Sequence, residues 1–74
     1  MAKTVSGALV IKILCRYFCF FVVSQRGSHV KLRNEVGQQV ITTIVPLHRE
    51  LSLGTFRGIL ELARVDEMDF RNKL

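Results

Sequence analysis

The first 33 positions of this 74-residue chain hold no acidic side chain. Lys3, Lys12, Arg16, Arg26, Lys31 and Arg33 give that part a charge of +6, while residues 34–74 carry five basic and six acidic side chains. A partner rich in negative charge is the simplest physical reason for such an uneven split. A plain solvated basic surface is the duller alternative. Cysteine is scarce too: Cys15 and Cys19 stand four apart among Leu14, Phe18 and Phe20. Two thiols so placed exclude a secreted disulfide framework and predict buried cysteines in a reducing cytoplasm. Nor is there a long apolar run. Residues 8–23 come nearest, but Lys12 and Arg16 interrupt them, and a spanning helix needs about 20 apolar residues. With no small-residue cleavage site after it, the stretch fails as a signal peptide as well. The expectation is a cytoplasmic protein that makes no use of a membrane. No repeat, low-complexity tract or linker divides the chain, so one domain over residues 1–74 is expected. No pair among His29, His48, Cys15 and Cys19 has zinc-ligand spacing. Glu61, Asp66, Glu67 and Asp69 sit where helix ends explain them. No metal and no cofactor is expected.

The 49% of apolar residues suffices for a packed core, and the periodicity shows how it is distributed. Ser6 is placed to cap a helix reaching about Phe18. Leu9, Ile13 and Tyr17 form its apolar stripe with Val10 and Leu14 beside it, and Lys12 and Arg16 form the wet one. From Phe20 the period changes to two. Residues 20–26 read as a strand, Gly27-Ser28 as a turn, residues 29–33 as a second strand, residues 34–37 as another turn, and residues 39–45 as a third strand stopped by Pro46. Turns this short make an antiparallel meander. Ser52 caps a helix carrying Phe56, Ile59, Leu60 and Ala63 at helical spacing. Asp66 caps a last short helix, with Val65 and Phe70 placed as a hydrophobic staple. The class is α+β: α-β-β-β-α with a small terminal helix, a three-stranded antiparallel sheet, and helices on one face only.

The second strand carries the functional signal. Val30 and Leu32 point one way; His29, Lys31 and Arg33 point the other. If the apolar pair meets the helices, the cationic row with its histidine lines the open face. Slipping the register by one residue would bury three polar groups at a cost of several kcal/mol. Imidazole can take and give a proton near neutrality. Beside cations, after the flexible Gly27-Ser28 pair, it reads as a candidate ribonuclease centre. Pattern alone favours the milder option, a surface histidine in an RNA-binding strand.

Four blocks tip that balance. Ser6-Gly7 precedes an apolar helix. Phe20-x-x-Val23-x-Gln25-Arg26-Gly27-Ser28-His29 spans the first turn. Val45-Pro46-Leu47-His48 closes the third strand, and Leu51-x-x-Gly54-Thr55-x-Arg57-x-Ile59-Leu60 opens the second long helix. In order and spacing the chain resembles the HicA-type toxins over roughly residues 6–70. The resemblance implies a fold like a double-stranded-RNA-binding domain and mRNA cleavage by His29 without a metal. It also implies a cognate HicB-type antitoxin that masks the site. Three positions depart from the family pattern. Cys19 and Arg64 stand where turn glycines are usual and are expected to strain those corners; Ser24 replaces a basic residue near the site.

In this chemistry His29 removes the 2′-hydroxyl proton as that oxygen attacks phosphorus. Arg26, Lys31 and Arg33 hold phosphoryl oxygens, Gly27 lets backbone approach a phosphate, and Ser28 donates a hydrogen bond. His48 is the candidate second proton carrier, with a loop histidine packed on the turn as its plain alternative. Lys3, Lys12 and Arg16 extend the RNA surface or form a solvated stripe. Arg57 meets phosphate near a helix start or pairs with Glu61. Two functions stay open: a toxin-type endoribonuclease, or a non-catalytic RNA-binding module of the same fold. A monomer is the default expectation for the free protein.

Overall fold

The computed structural model describes residues 4–74. Helix α1 (Gly7–Tyr17) leads into strands β1 (Phe21–Arg26), β2 (His29–Val36) and β3 (Gln39–Pro46), followed by α2 (Leu53–Ala63) and the short α3 (Glu67–Arg71). The sheet is an antiparallel meander in the order β1-β2-β3. Its helix-side face holds Val30, Leu32, Thr43 and Val45, all buried. They meet Val10, Ile13 and Leu14 from α1 and Phe56, Ile59, Leu60 and Ala63 from α2 in one core. Full burial of each such side chain is worth about 1.5–3 kcal/mol. The Thr43 hydroxyl donates to the Ile59 carbonyl at 2.9 Å, which satisfies the one buried polar side chain on that face and ties β3 to α2.

Each helix begins on the expected cap. The oxygens of Ser6, Ser52 and Asp66 accept from the backbone N–H of Leu9, Thr55 and Asp69. Five residues make too short a helix to stand alone, so α3 depends on its contacts. Phe70 is fully buried, edge-on to Phe56 at 5.3 Å between ring centroids and stacked on Phe18 at 6.4 Å. Glu67 bonds Arg57 at 2.7 Å and Arg71 at 2.9 Å. Arg57 therefore pairs with Glu67 across two helices, and the expected partner Glu61 gives way to this ion pair.

Several details differ from the sequence expectations. The dry stripe of α1 is Val10, Ile13 and Leu14, while Leu9 and Tyr17 are partly exposed, because the sheet and α2 reach only one side of the helix. Cys15 is half-buried and Cys19 is exposed, so the expectation of two buried thiols holds for neither in full. Burial pushes the Cys15 thiol up from its ordinary value. Phe20 is buried just ahead of β1 rather than opening it. The left-handed Cys19 (φ 64°) turns the chain so that the Phe20 N–H bonds back to the Leu14 carbonyl at 3.2 Å. Strand β2 runs on to Val36, and the second turn is Gly37-Gln38 rather than residues 34–37. Only Gly37 there has a positive φ, 60°, at the first position of a two-residue hairpin loop. Asn34 and Glu35 stay in the ladder opposite Ile41 and Val40.

Arg64 closes α2 in a Schellman motif, with φ 57°, its N–H on the Glu61 carbonyl and the Val65 N–H on the Leu60 carbonyl. Cys19 and Arg64 are the only non-glycine residues described with positive φ. A left-handed L-residue costs about 1–2 kcal/mol, partly offset by the extra chain entropy of glycine. Cys19→Gly and Arg64→Gly should each raise unfolding free energy by about 0.5–1 kcal/mol. Urea melts test this, and a lowered midpoint would contradict it.

Hydrogen bonds from Arg57 and then Arg71, with their positive charge, hold the Glu67 carboxyl below its ordinary value. A carboxyl lowered in the folded state adds stability above its unfolded pKa and loses it as pH falls through the folded value. Glu67→Gln should therefore flatten the acid limb of the stability–pH curve. Melts taken through the carboxylate range with an unchanged slope would show that the triad adds nothing.

Candidate functional site

The open face of the sheet is organised in cross-strand rows. Arg26, His29 and Pro46 form the first, Ser24, Lys31 and Ile44 the second, and Phe21, Arg33 and Thr42 the third. The rows exist because Val30 and Leu32, 4% and 0% exposed, claim the opposite face. His29 is exposed; Lys31 and Arg33 are half-buried. Glu35 is the one acid on the three strands, beyond the last of these rows and opposite Val40. Ser24, Arg26, His29, Lys31 and Ile44 line a shallow cleft of about 130 Å³. It presents an imidazole, two cations, a hydroxyl and one apolar wall. Among the described residues no three His, Cys, Asp or Glu side chains converge as metal ligands would.

Local chemistry fixes the turn that carries the histidine. Gly27 has φ 55°, open to glycine at little cost. The Gln25 side-chain amide donates to the Gly27 carbonyl at 2.9 Å. The Leu47 N–H donates to the Ser28 carbonyl at 2.7 Å, and the Gly7 N–H donates to the His48 carbonyl at 2.9 Å. The first turn of α1, residues 46–48 and the β1–β2 turn thus form one connected backbone unit. A Cβ on Gly7 would overlap the Pro46 carbonyl oxygen, so glycine alone allows this approach.

Arg26, His29 and Lys31 share the cleft, and Arg33 lies one row beyond it. Gly27 and Ser28 form the turn at its end. His48 is exposed on the adjoining loop but is not among the residues lining the cleft. Lys12 and Arg16 lie on α1 along a separate groove with Tyr17 and Lys73, so they do not join the histidine. Lys3 lies outside the described residues. Sequence reasoning missed Ile44 and Phe21, and it marked Ser24 only as the loss of a charge near the site. The position of Ile44 opposite Lys31 follows by counting back from the Gly37-Gln38 turn, once that turn is placed correctly. Phe21 had no such signal. The ladder shifts by one between Val22 and Ser24, leaving Val23 as a β-bulge. Without that extra residue Phe21 would face the helices.

Fold and cleft together define a small α+β protein with a histidine set in a cationic, one-sided sheet. The chain belongs to the HicA toxin family of bacterial toxin–antitoxin systems, whose family model matches residues 7–65. No curated protein matches it. The family carries a toxin role and a partner of the antitoxin kind. No helix among the described residues is long and apolar enough to cross a membrane.

Gly7→Ala should cost about 1–3 kcal/mol, the range for forcing atoms into a packed site. Thermal or urea unfolding checks it. A variant as stable as the unaltered protein would mean that the α1–loop junction can open without loss.

Proposed function

We propose that this protein is a metal-independent endoribonuclease that cleaves mRNA in the cytoplasm and is silenced by a HicB-type antitoxin covering the cleft. One observation carries the proposal: a solvent-exposed imidazole at His29 shares a cleft with Arg26 and Lys31, with no carboxylate lining it. RNA brings its own nucleophile. His29 takes the 2′-hydroxyl proton while the 2′-oxygen bonds to the adjacent phosphorus. The bond from phosphorus to the 5′-oxygen breaks, and that oxygen leaves with a proton from water or from the imidazolium. The products are a 2′,3′-cyclic phosphate and a 5′-hydroxyl.

Arg26 and Lys31 face the position where charge grows on the phosphoryl oxygens, and preorganised cations lower the barrier there. Arg33 holds the next phosphate along the strand. Gly27 leaves the turn backbone open to the ligand, and Ser28 supplies a hydroxyl beside it. His48 stands outside the cleft, so a single imidazole with water as proton partner fits the geometry better than a histidine pair.

His29→Ala should abolish cleavage and leave RNA affinity within about twofold, since the neighbouring cations supply most of the binding. Lys31→Glu should weaken binding and reduce the slope of log affinity against log salt by about one phosphate contact or more. Gel-based cleavage and titration of a 2′-O-methyl oligoribonucleotide measure the two effects. Binding without cleavage by the unaltered protein, in metal-free buffer, would leave the non-catalytic RNA-binding module as the function.

A further inference from the structure

The open face carries more than charge. Phe21 is 45% exposed and Ile44 48% exposed, on a face that also carries Ser24, Arg26, His29, Lys31, Arg33 and Thr42. The bulge at Val23 is what brings Phe21 there, directly opposite Arg33. Bulges often re-aim a side chain next to a site. Four residue steps along β2 separate the His29 row from the Arg33 row, about 13 Å at strand rise. A polynucleotide whose phosphates follow Lys31 and Arg33 therefore passes over Phe21.

We infer that Phe21 is a stacking platform for an unpaired base of single-stranded RNA, two rows along the sheet from His29, with Ile44 as the apolar wall for the base at the cleft itself. The inference rests on RNA being the ligand of this face. Aromatic rings amid cations on an open sheet are how sheets hold single strands, because every base has a face to stack and every phosphate a charge to meet. A protein partner would also cover exposed apolar residues. The alignment of the two apolar groups with the row His29, Lys31 and Arg33, with Glu35 standing only beyond its far end, favours a strand of alternating bases and phosphates. Phe21 and Ile44 are not among the named residues on which the family resemblance rests.

The test is binding of the full chain to a 2′-O-methyl oligoribonucleotide, which lacks the nucleophile and cannot be cut. Phe21→Ala should weaken affinity about tenfold, the scale of one lost base stack, and Phe21→Tyr should restore it. A base-free nucleotide in the matching position should weaken binding by the unaltered protein and have no further effect on Phe21→Ala. Both variants change an exposed position, and unchanged thermal midpoints exclude misfolding. Equal affinity of Phe21→Ala and the unaltered protein would overturn the inference. So would unchanged RNA binding with lost affinity for the antitoxin, which would make Phe21 a protein contact. Lys31→Glu on the same oligonucleotide separates the two levels. If it too is without effect, RNA is not the ligand of this face; if it weakens binding while Phe21→Ala does not, only the stacking platform fails.

Discussion

Burial of Val30 and Leu32 is the constraint on which the rest depends. These two side chains are sealed under α1 and α2, and a strand's alternation then leaves His29, Lys31 and Arg33 no place but the solvent face. The same two residues that stabilise the sheet orient the histidine. Their neighbours on β3 repeat the division: Thr43 and Val45 go inward, while Thr42 and Ile44 go outward.

A second level of order comes from backbone contacts rather than side chains. Gly7 lets the start of α1 touch the Pro46 carbonyl, and the chain through His48 bonds both to that helix and to the Ser28 carbonyl. The turn before His29 is thereby clamped from the far side of the sheet. A side chain on a hairpin end would otherwise share the mobility usual for loop tips. Here the helix layer and the open face of the sheet are coupled through three short peptide segments. The junction lies inside the matched residues 7–65.

Most of the fold was legible from periodicity and caps. Ser6, Ser52 and Asp66 each accept the hydrogen bond that a helix start requires, and the change of period at residue 20 marks the passage from helix to sheet. The in–out pattern of residues 29–33 placed the cationic row correctly, because one face of the sheet is buried and so admits a single register. Cys19 and Arg64 were recognisable as misfits at turns, and both adopt the left-handed backbone that glycine would favour. Tertiary effects stayed hidden. Asn34 looked like a turn residue, yet pairing with β3 keeps it in a strand. Arg57 found Glu67 ten positions away rather than Glu61 four away, because α3 folds back over α2. The bulge that turns Phe21 outward leaves no mark in the alternation of Phe20, Phe21, Val22 and Val23, four apolar residues in a row. The role of Gly7 was also invisible, since a close approach between distant segments has no local signature.

Cleavage chemistry is the point on which the account stands or falls, and the chemical ends of the products report it directly. Purified protein is incubated with a defined RNA in the presence of a metal chelator, and the fragments are analysed by mass spectrometry. Fragments ending in a 2′,3′-cyclic phosphate and beginning with a 5′-hydroxyl are the predicted result. Fragments with 5′-phosphates and 3′-hydroxyls would contradict it, since water rather than the 2′-oxygen would then have attacked phosphorus.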